Sequence, residues 1–426
     1  MPPDDDIMTP AGAGSMGADA RLNMGITQRV RLHAGTGVPL DAREGPPAQP
    51  LLEAAGPFLV LGGRHAASMP PTPLRPAPDT LFGPRGVCLA APEGPLCVCD
   101  TGHHRLLLWK QRPDADDAPC DLCIGQRDAF SEGGRNGGDV PHAASVNVPT
   151  GVATDGQALV VADAWNHRVL IWHAWPTRDN QPADVVLGQA DMQSHLPNRG
   201  RERPGADTLN WCYGVALVDG RLVVADTGNR RLLVWESLPQ RNGTAADLVL
   251  GQADMCSRHD VGTSLHDGAG GVRWPHAIAW HDGHLLVADA GNNRILGWRG
   301  WPQQDGAPAE LVLGQADFGS LEHNRGAYLP TARSLNMPYG LASTHDWLLV
   351  ADTANSRLLG WKPPLRNDAA AQALAGQPDF TSKGDNRWQL PQRDSLCWPY
   401  GLAASGDVVA VADSGNNRVL LWRLAA

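Results

Sequence analysis

Arg221-Leu222-Val223-Val224-Ala225-Asp226-Thr227-Gly228-Asn229-Arg230-Arg231-Leu232-Leu233-Val234-Trp235 reads as two short strands joined by a tight turn. The flanking runs are rich in Val and Leu and have the length of ordinary strands. Between them, Asp226-Thr227-Gly228-Asn229-Arg230 gathers residues that tolerate φ > 0 or bond back to the backbone. Just upstream, Tyr213-Gly214-Val215-Ala216-Leu217-Val218 opens a strand that stops at the turn signal Asp219-Gly220. Downstream, a Pro- and Asn-containing link leads to Asp247-Leu248-Val249-Leu250. The unit is thus four short strands.

This unit recurs along the chain. Asp100, Asp163, Asp226, Asp289, Asp352 and Asp413 are separated by 63, 63, 63, 63 and 61 residues. Five residues after each comes Arg105, Arg168, Arg231, Arg294, Arg357 or Arg418. Nine residues after each comes Trp109, Trp172, Trp235, Trp298, Trp361 or Trp422. In phase run Gly62, Gly125, Gly188, Gly251, Gly314 and Gly376, all but the first followed by Gln. Six units of four strands predict an all-β, six-bladed propeller, because radial repetition leaves only short, protected edges. The last unit stops at Leu420-Leu421-Trp422, and its missing fourth strand stands at the other end as Leu59-Val60-Leu61-Gly62. That segment is expected to complete the last blade and close the ring. Residues 51–426 then form the propeller. Residues 1–50, rich in Pro, Gly, Ala and Asp, form a flexible tail in which Arg29-Val30-Arg31-Leu32 offers one further strand.

The turns resemble NHL repeats, as in Asp163-Ala164-Trp165-Asn166-His167-Arg168-Val169-Leu170 and Asp289-Ala290-Gly291-Asn292-Asn293-Arg294-Ile295-Leu296. The resemblance covers residues 59–426 and is similar to bacterial members in which Gly-Gln-x-Asp segments alternate with these motifs. It implies the propeller fold. For function it implies a range: RNA-binding and protein-binding propellers, and a peptide-amidating lyase that uses metal-binding histidines with a Tyr and an Arg.

Composition narrows that range. A net charge of −10 speaks against a general nucleic-acid or anionic-membrane surface, which needs clustered Lys and Arg. No run approaches the ~20 apolar residues of a bilayer span, and the acidic start Met1-Pro2-Pro3-Asp4-Asp5-Asp6 does not read as a secretory signal. A cytoplasmic monomer is expected. Of eight cysteines, five lie in the first unit, and Cys120-x-x-Cys123 invites a metal or redox reading. The repeat register opposes it: Cys97, Cys99 and Cys123 align with Val160, Ala162 and Val186, positions of small apolar side chains.

An Asp–Arg pair and a Trp present in all six units are structural, so function is sought where the units differ. Alternating strand directions put the Asp-x-x-Asn turns and the connections of about 20 residues on one face, making that face the candidate binding surface. At the channel mouth, the residue opening each innermost strand is Arg85, Thr150, Tyr213, His276, Tyr339 or Tyr400, and two residues earlier stand Trp211, Trp274, Met337 and Trp398. Aromatic bodies with polar tips suit a cup that is partly apolar and partly wet. A metal reading needs three protein ligands, and His259, His266 and His323 in the long loops would have to converge on His276. No nucleophile elbow, phosphate-binding loop or zinc-protease motif is present. The reading is therefore a non-enzymatic scaffold that holds a protein or peptide on the long-loop face, without metal or cofactor. The alternative is small-ligand binding, or metal-assisted lyase or hydrolase chemistry, in the aromatic cup.

Overall fold

Alternating apolar strands and polar turns need a second apolar surface to cover each sheet. The fold provides one by facing every sheet with the next. The computed structural model describes residues 48–62, 75–260 and 268–426. Blade 1 is Val87–Leu89, Leu96–Asp100, Arg105–Trp109 and Leu122–Ile124. Blade 2 is Pro149–Thr154, Leu159–Asp163, Arg168–Trp172 and Val185–Leu187. Blade 3 is Gly214–Val218, Arg221–Asp226, Arg231–Trp235 and Leu248–Leu250. Blade 4 is Pro275–His281, His284–Asp289, Arg294–Arg299 and Leu311–Leu313. Blade 5 is Pro338–Ser343, Leu348–Asp352, Arg357–Trp361 and Ala373–Ala375. Blade 6 is Pro399–Ser405, Val408–Asp413 and Arg418–Arg423, with Leu59–Leu61 as its outer strand. All these pairings are antiparallel, and the first strand of each blade lines the centre.

Ring closure follows the expectation. Leu59, Val60 and Leu61 pair with Leu421, Leu420 and Val419, and all three are buried. Each side chain contributes roughly 1.5–3 kcal/mol by leaving water, so three residues from the N-terminal part fasten the C-terminal blade. Gln49–Pro50 adds a two-residue parallel strand to Ala373–Ala375 of blade 5, and Leu51 and Leu52 behind it are buried. Residues 1–47, including the strand read at Arg29–Leu32, lie outside the described residues.

The core is divided among the blade interfaces. Apolar side chains form six clusters, each shared by two neighbouring blades. The repeated Trp packs on the preceding blade: Trp235 of blade 3 sits with Val160, Ala162 and Leu187 of blade 2. Its indole N–H donates to the Thr244 carbonyl at 3.1 Å, which satisfies its one polar atom.

The Asp–Arg pairs clamp the loops. In all six blades Arg Nε donates to Asp Oδ2 at 2.7 Å, and both groups are buried. Asp226 also accepts from the Asn229 amide and the Asn210 N–H, each at 2.7 Å. Arg231 donates onward to the carbonyls of Gly205, Thr208 and Met255. Burial pushes the Asp226, Asp289 and Asp413 carboxyls up, and three donors per carboxylate, one a guanidinium, act in the opposite direction. The Gly-Gln marker acts beside this clamp. Gln189 donates to His167 and Leu196 carbonyls, tying the turn to the loop that follows, and Gln126, Gln252, Gln315 and Gln377 repeat the pattern.

Candidate functional site

The small residue after each mouth position has a physical cause. A Cβ on Gly214 would stand 1.9 Å from the His276 carbonyl, and one on Gly151 2.4 Å from that of Tyr213. The innermost strands approach too closely there for anything beyond Gly in five blades and Ala277 in blade 4, so the residues just before them are drawn into a tight ring.

Five mouth residues meet in that ring. His276 stacks on Tyr339 with ring centroids 4.2 Å apart, and Tyr339 stacks on Tyr400 at 4.4 Å. Tyr213 lies 4.7 Å from His276. Arg85 lies over Tyr400 at 4.9 Å and donates to the Tyr213 hydroxyl at 2.8 Å. Thr150 is buried, and its hydroxyl is spent on the Tyr213 carbonyl at 2.9 Å. The His276 Nδ1 donates to the Trp274 carbonyl at 2.8 Å. Burial lowers the His276 pKa from 6.5 to about 4, and the Arg85 charge adds to this, so the ring is neutral at pH 7. Burial raises the phenols of Tyr339 and Tyr400 above their usual range, which leaves them as hydrogen-bond donors. A channel cavity of about 260 Å³ is bounded by these side chains and by the innermost strands.

The tryptophans expected around the cup stand outside it. Trp211 touches the ring, edge-on to Tyr213 at 5.4 Å. Trp211 and Trp274 instead line a groove of about 690 Å³ over blades 2 to 4, together with Arg135, Asn147, Trp165, His167, Asn210 and Arg230. Trp398 is half exposed, over blade 6.

The groove rests on an unusual backbone. Val148, Trp211, Trp274, Met337 and Trp398 occupy one repeat position, and all have φ between +50° and +56°. That region costs a non-glycine residue about 1–2 kcal/mol. A latch from the preceding blade offsets it: the Trp211 N–H donates to His167 Nδ1 at 2.9 Å, that of Val148 to His104 Nδ1 at 3.1 Å, and that of Met337 to Asn293 Oδ1 at 2.9 Å. Both imidazoles must be neutral to accept. Burial lowers the pKa of each, that of His167 to about 4 with help from His195 and Arg135.

Trp165 was not singled out from the sequence, although the register marks it. It fills a position held elsewhere by Gly102, Gly228, Gly291, Ala354 and Gly415. A Cβ on Gly228 would sit 2.6 Å from the Asn210 carbonyl. The backbone bond from this position is 2.8–2.9 Å at the glycines and 3.1 Å at Trp165 and Ala354. Blade 2 accommodates a large exposed indole there with the turn dihedrals of the other blades and a bond no longer than that at Ala354.

Metal chemistry finds no ligand set among the described residues, which contain no group of three His, Cys, Asp or Glu placed to hold an ion. His259 and His323 form no such group with His276, and His266 lies outside the described residues. Cys120 and Cys123 are free thiols, pushed up to about 12 by burial, as packing residues are.

No family model matches the chain. The chain is similar to NHL repeat-containing protein 2 of Homo sapiens, 23% identical over 382 residues, which covers 84% of this chain and 48% of that protein. The Gallus gallus protein of the same name gives 23% over 374 residues, 83% and 47%. The fold is a six-bladed β-propeller whose turns are similar to NHL repeats. The chain spans about half the length of the curated relatives it matches. Solved structures are more distant. An auxiliary nutrient binding protein from Bacteroides thetaiotaomicron is 12% identical at a TM-score of 0.48, covering 87% of this chain and 76% of that one. The hydrazine synthase of Kuenenia stuttgartiensis is 12% identical at 0.46, covering 84% and 99%. Neither bears on function.

Proposed function

We propose that this propeller is a non-enzymatic interaction module that holds an extended peptide segment of a protein partner on its long-loop face. One observation carries the reading. Among the described residues, twelve of the thirteen exposed large hydrophobic side chains lie in the long loops or Asp-x-x-Asn turns of that face. Clustered apolar exposure marks interaction surfaces, and aromatic and Arg side chains are their usual anchors. The groove over blades 2 to 4 combines three exposed tryptophans with Arg135 and with Arg230, which Asp260 holds from outside the groove at 2.6 Å, and no Asp or Glu lines it. A segment carrying apolar and acidic side chains complements it. The eight free thiols, Cys256 among them exposed, suit a reducing compartment such as the cytoplasm.

Selection of a displayed random-peptide library on the full chain tests this. Enriched peptides should carry aromatic or aliphatic residues next to Asp or Glu. They should lose at least ~10-fold in affinity to Trp165→Ala and to Trp211→Asn, an Asn being tolerated at φ > 0. Undiminished binding to both variants would refute the reading.

A further inference from the structure

Beyond the peptide groove, the channel holds a cation that no carboxylate accompanies. The six blade arginines, from Arg105 to Arg418, each sit against an Asp. Arg85 is half-buried at the channel mouth, and no acidic group lies within salt-bridge distance of it among the described residues. It is also the single Asp, Glu, Lys or Arg among the described residues that line the channel cavity. The electrostatics of its neighbours agree: the charge acting on His276 is that of Arg85, and no carboxylate perturbs His276, Tyr339 or Tyr400. In a chain of net charge −10, this is a positive site within a neutral bore.

Arg85 uses one N–H on the Tyr213 hydroxyl and its face on Tyr400. The guanidinium has five N–H donors, and the remainder match a carboxylate bidentately. The phenols of Tyr339 and Tyr400 are protonated neighbours able to donate to the same oxygens. Further along the bore, Val152, Val215, Ile278, Leu341 and Leu402 line the cavity. At about 260 Å³ the space is smaller than a typical drug-sized pocket and suits a small molecule.

We infer that the channel mouth is a carboxylate-binding site, in which Arg85 receives the carboxylate of a small organic acid and the bore receives its apolar body. A carboxylate can come from a free acid or from a chain terminus, and the test separates the two. Saturation-transfer NMR on the full chain would compare acetate, propionate and benzoate with their amides, and N-acetyl-trialanine with its amidated form. At least one acid should bind while its amide does not. Arg85→Ala should lose that binding at least ~10-fold, and Arg85→Lys, which keeps the charge without the fork, should retain part of it. Binding of N-acetyl-trialanine but not its amidated form extends the site to chain ends; binding of the small acids alone assigns it to free acids. Far-UV circular dichroism and the thermal midpoint would establish that each variant is folded. Trp165→Ala should bind the acids as wild type does, which separates this site from the peptide groove. The inference is overturned if none of these acids binds, if acid and amide bind alike, or if folded Arg85→Lys and Arg85→Ala both bind as wild type.

Discussion

The two faces of the propeller are built from the same six repeats and differ sharply. On the short-turn face, the one large exposed apolar side chain among the described residues is Phe58, and it lies between the guanidinium groups of Arg112 at 5.1 Å and Arg423 at 5.2 Å. On the long-loop face, Trp165, Trp211, Trp274, Trp388 and Trp398 stand exposed. The clamp beneath the loops explains how one face can vary. Asp and Arg in every blade, and Gln in five, fix the loops through backbone carbonyls and N–H groups, while buried loop side chains such as Asn198 and Thr208 bond to one another; the exposed loop side chains are left to differ. Constancy lies in the clamp and variation in what it presents.

The largest expected effect is on the constant layer. Asp226→Ala leaves the Arg231 charge buried without its partner, and urea denaturation should show a loss of about 3–5 kcal/mol. The same substitution at Asp289 should cost a similar amount. A loss confined to one blade would break the idea of a uniform clamp.

Acid should act next. His276 has a folded pKa of about 4 against an ordinary 6.5, so the unfolded chain takes up a proton first. Its contribution is complete above pH 6.5, falls as the pH drops toward 4, and amounts to about 3 kcal/mol at most. His167 shifts in the same direction. Denaturation midpoints measured from pH 7.5 to 4 should decline across this window, and less steeply in His276→Gln. A flat profile would mean that neither ring is held neutral.

Smaller still, His167→Ala removes the acceptor for the Trp211 N–H and should cost about 0.5–1.5 kcal/mol while loosening the groove. Trp165→Ala should change stability by no more than ~0.5 kcal/mol, because the indole is exposed and Ala354 occupies the equivalent place. Its effect should fall on peptide affinity. A stability loss as large as that of Asp226→Ala would make Trp165 a packing residue and erase the contrast between the faces.

Repetition made the fold legible. Asp, Arg and Trp recur because each blade meets the same neighbour in the same way, and the displaced Leu59–Leu61 strand was visible as a gap in that pattern. The mouth ring was legible as well, since one register position gathers Arg85, Tyr213, His276, Tyr339 and Tyr400. The groove was legible only in part: Trp211 and Trp274 share a register position that the sequence marks, but Arg135, Trp165 and Arg230 join them from other places in the repeat. The further signal was Trp165 in a column of small residues. The left-handed backbone at Trp211 and Trp274 had no signal, because Trp is not a residue expected at φ > 0. Gln49–Pro50 was equally silent, a two-residue strand without counterpart in the other blades.

Hydrogen–deuterium exchange on the full chain, with and without a library-selected peptide, tests the central claim most directly. Binding on the long-loop face predicts protection in segments 133–147, 196–211 and 268–274, with the turns at Asp155-Gly156, Asp219-Gly220 and Asp282-Gly283 unchanged. Protection at those three turns, with the long loops unaffected, would contradict it.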